Sequence, residues 1–392
     1  MPWLLEMTLV VSMLMAPPIL YLAFRYFAIA PKDGPSALRY VLPLILVSFY
    51  IFPASGMIDF YATGAIDVLK YPKPLSYWFW FGLVFTYQLA GWVLIADLMK
   101  LATRLLAVDA ETVGRYHRAL LLILFMAIFA YNAGKVYHDT TAIKTDRVTV
   151  SVDDLPASME GFKLVHITDI QGDEYTGREE IARYVDKINA QNGDLIVFTG
   201  DLISYGTDFI KMSAQELGKA KARLGTIAVV GDHDYWAGTK NVQEALNAEN
   251  IPLLQDENHI LQADSSPAIA LTGVTEVYSK SADPAVVDSL TGSARNAALK
   301  IFASHQVKKG LAAEAQEKGY DLMLGGHTHG GQIFVPFLGM GFSASERETK
   351  YVSGLYREGQ LPININNGLG FTLAPIRYNA PPNISVITFE SK

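Results

Sequence analysis

"FKLVHITDIQGDEY", residues 162–175, reads as a short apolar strand that carries one carboxylate, Asp169, to its tip and then enters a polar loop. An Asp-x-His at such a tip would present two ligands to a metal pair, yet Gln171 stands where the imidazole would be. Four further runs end in the same way: "DLIVFTGD" (194–201) at Asp201, "GTIAVVGD" (225–232) at Asp232, "LKIFASH" (299–305) at His305, and "DLMLGGHTH" (321–329) at His327 and His329. A single Gly-Asp is no more than a strand terminator. Strand tips in an open α/β sheet converge on one crevice, so five such endings amount to one strong signal.

Helix-like patterns lie between several of these runs, at 178–190, 212–224, 239–249 and 307–318. Strand and helix alternate, the mark of an α/β domain with largely buried strands. "YVSGLYR" (351–357), "LPININN" (361–367) and "NISVITF" (383–389) add β-like text that calls for a second sheet on the first, with helices outside. Hard and borderline metals take carboxylate, carbonyl oxygen and imidazole. Asp169, Gln171, Asp201, Asp232, His305, His327 and His329 are enough for two ions if one carboxylate bridges them. His-x-His sets two imidazoles on one side of an extended segment, one for each ion.

The 392 residues are too many for one core, and half of them are hydrophobic, which predicts a membrane part and a soluble part. Four apolar stretches, Met7 to Ala30, Tyr40 to Met57, Leu75 to Ala96 and Ala119 to Gly134, predict four transmembrane helices within residues 1–140, with kinks at Pro17-Pro18 and Pro43. A linker is expected at 141–147 and the soluble domain at 148–392. Asp59, Asp67 and Asp97 fall near span ends and read as solvated or interfacial. Seven basic side chains (Arg25, Lys32, Arg39, Lys100, Arg104, Arg115, Arg118) on the first and third loops face five (Lys70, Lys73, Lys135, Lys144, Arg147) on the other side. The positive-inside rule then puts the first and third loops in the cytoplasm and the soluble domain outside. Residues 1–147 hold 12 basic and 9 acidic side chains (+3), and the remainder 20 and 30 (−10), a balance that argues against nucleic-acid binding. No cysteine is present, which excludes disulfides, thiolate metal sites and cysteine nucleophiles.

The ordered set Asp169-Ile170-Gln171, Gly200-Asp201, Gly231-Asp232-His233-Asp234, His305 and Gly326-His327-Thr328-His329 resembles the calcineurin-like metallophosphoesterase superfamily. "GGHTHGGQ", "NNGLG" and "APIRYNAPPNISVIT" look like its membrane-anchored bacterial phosphodiesterase branch. The resemblance covers residues from about 148 to the end. It implies a two-sheet β-sandwich flanked by helices around a binuclear centre. Asp169, Gln171, Asp201 and His329 would hold one ion, and Asp201 would bridge to a second held by Asp232, His305 and His327. His233 would act beside the scissile phosphate as a catalytic group, with Asp234 orienting it.

Two letters depart from the family pattern, Gln171 for His and Asp232 for Asn. Both offer oxygen, so the site reads as retuned: Mn²⁺ is the expected occupant, with Mg²⁺ or Fe the other candidates and Zn²⁺ disfavoured. Gln at this place also resembles the manganese-dependent pyrophosphatase branch of the superfamily. On this reading Asp232→Asn keeps activity and shifts the alkaline pH profile. The expected function is a multi-pass protein of the bacterial cytoplasmic membrane that hydrolyses a phosphoester or pyrophosphate, lipid-linked or envelope substrates included. Two close ions would activate a shared water for in-line attack. The competing expectation is a catalytically weak or inactive module of the same fold, sensing or binding for the membrane helices.

Overall fold

The computed structural model describes residues 3–29, 38–64, 72–103, 109–262, 268–294, 296–337, 340–343 and 345–392. Lys32, Lys70, Arg104 and Asp67, used above, lie outside these, as does the side chain of Arg39. The chain divides into two units. The first is Met1–Thr140 with Ile333–Phe342 and Leu373–Asn379, and the second is Thr141–Gln332, Ser343–Thr372 and Ala380–Lys392.

The first unit is built on α1 (Trp3–Ile29), α2 (Leu38–Ser48), α3 (Ile51–Thr63), α4 (Lys73–Thr103) and α5 (Ala110–Thr141). By length and composition α1, α4 and α5 can each cross a membrane. The second expected span is not one helix: α2 and α3 meet at a bend of 49°, giving three such helices, or four spans if the bent pair counts as one. Pro43, the expected cause of a kink, sits inside α2. The break fits Pro53 instead, which cannot donate to the Phe49 carbonyl four residues back and whose ring would collide with it. The ladder resumes with Ala54 N–H donating to Tyr50 O at 3.0 Å. Phe49 is thereby turned into a core with Leu46, Phe79 and Phe85.

Two excursions interrupt the domain expected at 148–392. One is the hairpin Val335–Phe337 with Met340–Phe342. The other, Leu373–Asn379, buries Ile376, Arg377 and Tyr378 within the first unit. Tyr378 Oη accepts from Gln88 and donates to Asn132 Oδ1 at 3.0 Å, and Asn379 N–H donates to Asp139 Oδ2 at 2.7 Å. Asp97, expected to be solvated or interfacial, accepts from Arg25 (2.6 Å) and Tyr21 (2.8 Å) on α1 and lies 2.9 Å from His117 Nε2 on α5. That network pins three helices together.

The second unit is a pair of mixed six-stranded sheets. β1 (Lys144–Val152), β2 (Lys163–Ile167), β3 (Leu195–Phe198), β4 (Thr226–Val229) and β5 (Leu253–Leu254) join the C-terminal strand in one sheet. β6 (Glu257–Leu261), β7 (Ile269–Val274), β8 (Leu299–Ser304) and β9 (Leu322–Gly325) begin the other. With the hairpin strands as β10 and β11, β12 (Gly354–Glu358) and β13 (Leu361–Ile365) complete that second sheet, and β14 (Asn383–Ser391) completes the first. The orders are β1-β14-β2-β3-β4-β5 and β12-β13-β9-β8-β7-β6.

Inward-facing residues of the two sheets, among them Leu164, Val197 and Ile227 against Leu271, Ile301 and Leu322, form one buried cluster. The outer face of the first sheet is covered by α6 (Arg178–Asn189), α7 (Ile210–Leu217) and, after the short α8 (Asp232–Trp236), α9 (Thr239–Ala248). α10 (Pro284–Ser293) and α11 (Lys309–Glu317) cover the second. This is the predicted α/β sandwich flanked by helices. The expected linker is strand from Lys144 onward, in parallel register with Asn383–Val386, with Lys144, Asp146 and Arg147 exposed. α7 stops at Leu217 rather than running to Leu224, because Gly218 follows.

His166, read as a core histidine from its place inside β2, is fully buried. Its Nδ1 is 2.8 Å from Asn364 Nδ2, which can only donate, so Nε2–H donates to Thr199 Oγ1 at 2.9 Å. Burial pushes the imidazole down from 6.5 to about 3. The unfolded chain therefore takes up a proton below about 6.5 that the fold refuses, and stability present above that pH is lost as pH falls toward 3. His166→Gln should remove about 2 kcal/mol of the stability lost between pH 7 and pH 5. Denaturant unfolding of both proteins at the two pH values checks this, and equal losses would refute it.

Candidate metal centre

Parallel register brings the strand ends level. β2, β3 and β4 end at Ile167, Phe198 and Val229, and β8 and β9 end at Ser304 and Gly325. Backbone bonds tie the tips across: Asp169 N–H donates to Gly200 O (2.8 Å), Gln171 N–H to Asp201 O (3.0 Å) and Gly326 N–H to His305 O (2.9 Å). Asp169, Gln171, Asp201, His327 and His329 all hold left-handed backbones, with φ between 50° and 70°. Such strain, of order 1–3 kcal/mol per residue, persists where the surroundings over-determine the geometry, as at functional sites.

The seven residues singled out by sequence do meet. His305 Nε2 lies 3.2 Å from Asp201 Oδ2, 3.3 Å from Asp232 Oδ2 and 4.0 Å from Asp169 Oδ1. His329 Nε2 is 3.0 Å from Asp169 Oδ1, and His327 Nδ1 is 2.7 Å from Asp232 Oδ2. Gln171 Nε2 donates to Asp201 Oδ2 at 2.8 Å. Ligand atoms of Asp169, Asp201 and His305, and those of Asp232, His305 and His327, form two groups within 4.8 Å. His305 Nδ1 donates to Thr199 O at 2.7 Å, which leaves Nε2 as its lone-pair nitrogen when neutral.

Two properties of this chain test whether cations fit. Among the described residues, Gln171 Oε1 is buried with no hydrogen-bond partner, while Asp169 Oδ1 and His305 Nε2 face only the imidazole of His329 and the carboxylates of Asp201 and Asp232. Oxygen and nitrogen atoms gathered so closely, with their lone pairs turned on one another, suit a cation between them. Charge gives the second indication. Burial works against protonating His305, yet Asp201 and Asp169 hold it well above its ordinary value. His327 is likewise raised against burial, to about 9, by Asp232 and Glu348. Burial would raise Asp169 and Asp232, but the imidazoles hold both carboxyls well below the usual range. Protons on the imidazoles thus occupy the place that divalent charge would take.

The structure corrects two expectations. Asp234 does not orient His233: its carboxylate accepts three backbone N–H groups, from Asp201 (2.8 Å), Leu202 (2.9 Å) and Gly231 (3.0 Å). It is a staple between the β3 and β4 loops, and burial and the Asp201 charge push it up to about 6. His233 is oriented instead by the Ser204 carbonyl, which accepts from Nδ1 and leaves Nε2 3.9 Å from Asp201 Oδ2.

Asp232 is held as a carboxylate. Its Oδ1 accepts from Tyr278 N–H, and Gln306 Nε2 donates to both oxygens, at 3.0 and 2.9 Å. An Asn amide would point its NH₂ at the Tyr278 N–H or at the imidazoles. Asp232→Asn is therefore expected to cost roughly 1–3 kcal/mol for a buried mismatch and to lower kcat, rather than only move the pH profile. An unaltered Tm and kcat in the variant would restore the simpler expectation.

Three contributors were not foreseen. Gln306 follows His305 directly, a signal that was present but unread. Glu348 Oε1 lies 2.9 Å from His327 Nε2. The third is "NNGLG": Gly370 N–H donates to Asp169 O at 2.7 Å and Asn366 Nδ2 to His166 O at 3.0 Å, clamping the Asp169 loop.

Residues 162–331 match the calcineurin-like phosphoesterase family. An uncharacterized metallophosphoesterase of Bacillus subtilis, YkuE, is 28% identical over 259 residues, 65% of this chain and 88% of that protein. A transmembrane protein with metallophosphoesterase domain from Danio rerio is 26% identical over 296 residues, 72% of this chain and 65% of the other. The phosphodiesterase YaeI of Escherichia coli is 25% identical over 230 residues, 58% and 81% of the two chains.

Proposed function

Because the chain belongs to the calcineurin-like metallophosphoesterases, we propose that it is a membrane-anchored hydrolase of phosphodiester or pyrophosphate bonds that works with two divalent ions. The observation that carries this reading is the pair of ligand groups, Asp169, Asp201 and His305 on one side and Asp232, His305 and His327 on the other, each gathered within 4.8 Å at the meeting point of the strand tips. Asp169, Gln171, Asp201 and His329 would hold one ion, and Asp201, Asp232, His305 and His327 the other. Bound there, the ions would neutralise phosphoryl charge and lower the pKa of a water for in-line attack. The amide oxygen of Gln171 and the extra carboxylate of Asp232 favour Mn²⁺ or Mg²⁺ over Zn²⁺. The family's use of two divalent ions agrees with this donor set.

The chain's own groups do the rest. His233, buried but for 13% of its side chain, keeps Nδ1 on the Ser204 carbonyl and turns Nε2 toward the centre. As an imidazolium it can donate from Nε2–H to the phosphoryl or leaving-group oxygen there. Asp234 holds the two ligand loops together through their backbone amides. Glu348 accepts from His327 Nε2–H and so fixes Nδ1 as the nitrogen offered inward. Glu348→Ala should weaken Mn²⁺ binding roughly 10- to 100-fold, while Glu348→Gln, which keeps an acceptor oxygen, recovers most of it. Calorimetric Mn²⁺ titration checks this; equal affinity in the alanine variant would show that His327 needs no such support.

The apolar helices of the first unit and the transmembrane relative make this a membrane protein. By charge bias we place the catalytic unit on the outer face of a bacterial cytoplasmic membrane, where a lipid-linked phosphoester is an accessible substrate. The test is metal content and turnover of the purified full-length protein. About two ions per chain with Mn²⁺-dependent hydrolysis of bis(p-nitrophenyl) phosphate are expected. A folded protein that takes up no metal and hydrolyses nothing would be the binding module instead.

A further inference from the structure

We propose that Tyr205, Trp236 and Tyr278 form a binding rim for a planar ring carried by the substrate next to its scissile phosphate. This deepens the hydrolase reading and rests on it. Among the described residues of the second unit, the exposed aromatic side chains are Tyr205, Tyr235, Trp236 and Tyr278, at 45%, 36%, 55% and 72% exposure. Tyr235 and Trp236 stand on α8, which begins at Asp232, and Tyr205 and Tyr278 on loops that touch metal-site residues, a clustering that scattered surface aromatics would not show.

Direct contacts link the rim to the chemistry. The Trp236 ring lies edge-on to the His233 ring, 4.9 Å between centroids. Trp236 Nε1–H donates to Ser279 Oγ at 2.7 Å, which joins it to the loop of Tyr278. Tyr278 in turn donates its backbone N–H to Asp232. Tyr205 follows Ser204, whose carbonyl holds His233. A group bonded to a phosphate beside His233 therefore reaches Trp236 first. The rim is anchored from beneath, since Val277 and Glu276, next to Tyr278, are buried.

The occupant follows from what surrounds the rings. The nearby cations are committed: Lys280 pairs with Asp256 at 2.8 Å and Lys308 with Glu276. Glu174 takes the Tyr205 hydroxyl. Among the described residues these two lysines are thus neutralised by carboxylates, and the phosphoryl charge is left to the metal centre. No exposed large aliphatic side chain stands on these loops among the described residues, which disfavours an alkyl chain. A membrane-interface belt would combine its aromatics with free Lys and Arg, and here the lysines are paired. Flat side chains with few rotamers suit a stacked ring such as a nucleobase or aryl group.

Three p-nitrophenyl phosphodiesters with the same leaving group test this on the full-length, Mn²⁺-loaded protein: the thymidine 5′, methyl and decyl esters. The thymidine ester is expected to exceed the methyl ester in kcat/KM by about tenfold, the scale of one ring stack. Trp236→Ala and Tyr278→Ala should each collapse that ratio through KM, and Trp236→Phe should preserve most of it. Calorimetric binding of thymidine 5′-monophosphate should weaken about tenfold in Trp236→Ala, with inorganic phosphate binding as the reference. Equal losses for all esters, or an advantage belonging to the decyl ester, would overturn the rim. Absence of any turnover together with intact nucleotide binding would count against the hydrolase reading and leave the rim standing as a ring-binding surface.

Discussion

Asp201→Ala is expected to lose both ions and, with them, hydrolysis of bis(p-nitrophenyl) phosphate by more than about 10³-fold, beyond what loss of a single electrostatic donor costs. The carboxylate sits where the two halves of the centre join. Oδ2 is 3.2 Å from His305 Nε2 and 2.8 Å from Gln171 Nε2, while Oδ1 accepts His233 N–H at 2.8 Å. Its removal takes away the carboxylate that both ions would share, so neither ion keeps its full set of ligands. Because Oδ1 also holds the His233 backbone, the alanine protein will lose some stability. Asp201→Asn keeps the shape and one acceptor oxygen, and it separates the two effects. In the asparagine variant Tm should stay near that of the parent while metal content and turnover fall. Elemental analysis and thermal unfolding of the three proteins decide the matter, and an alanine variant that retained about two ions and its activity would remove Asp201 from the centre.

Gly200→Ala is expected to damage the fold more than any substitution of a surface glycine. Gly200 has φ of 95°, and a Cβ there would come within 2.5 Å of the Gly231 nitrogen and 2.6 Å of its Cα. These are backbone atoms of the neighbouring ligand loop and cannot swing aside. Forcing a Cβ residue into the left-handed region costs about 1–2 kcal/mol, and overpacking a tight contact about 1–3. The combined loss of roughly 2–5 kcal/mol corresponds to about 5–15 °C in Tm for a unit of this size. Gly206→Ala supplies the control: φ is 64°, with nothing within 4 Å of the added methyl, so only the backbone cost applies. Comparable Tm losses in the two variants would mean that the loops tolerate separation at Gly200. Metal content should fall in Gly200→Ala alone, since the same contact sets Asp201 beside Asp232.

Both predictions concern residues that local sequence identified. The candidate ligands follow five runs of apolar residues, and a strand that ends in Gly-Asp, Ser-His or Gly-His is a short-range pattern. The two-sheet sandwich was legible for the same reason, because alternation of buried strands and amphipathic helices is written within windows of a dozen residues. β6, β7 and α10 were not read. A six-residue apolar strand such as "IALTGV" has no distinguishing period, and nothing local marks α10 except the Asp-Pro at its start.

What escaped the sequence reading depended on partners distant along the chain. Asp234 looked like an orienter of its neighbour His233, yet a carboxylate bonds whichever N–H groups the fold brings close, and those proved to belong to Asp201, Leu202 and Gly231. Glu348 lies 21 residues from His327 in a polar stretch with no pattern of its own. The "APIRYN" segment gave no local sign that it leaves the sandwich for the helical unit, since an apolar segment can be buried equally well in either. Pro53 broke the second apolar stretch because a proline acts on the carbonyl four residues before it, so the bend falls at Phe49 and Tyr50 rather than at the proline itself. Residue types and short spacing therefore determined the fold class, the membrane part and the ligand inventory. Tertiary structure alone decided which group holds which, because hydrogen bonds and charge pairs act over a few ångströms of space whatever the distance along the chain.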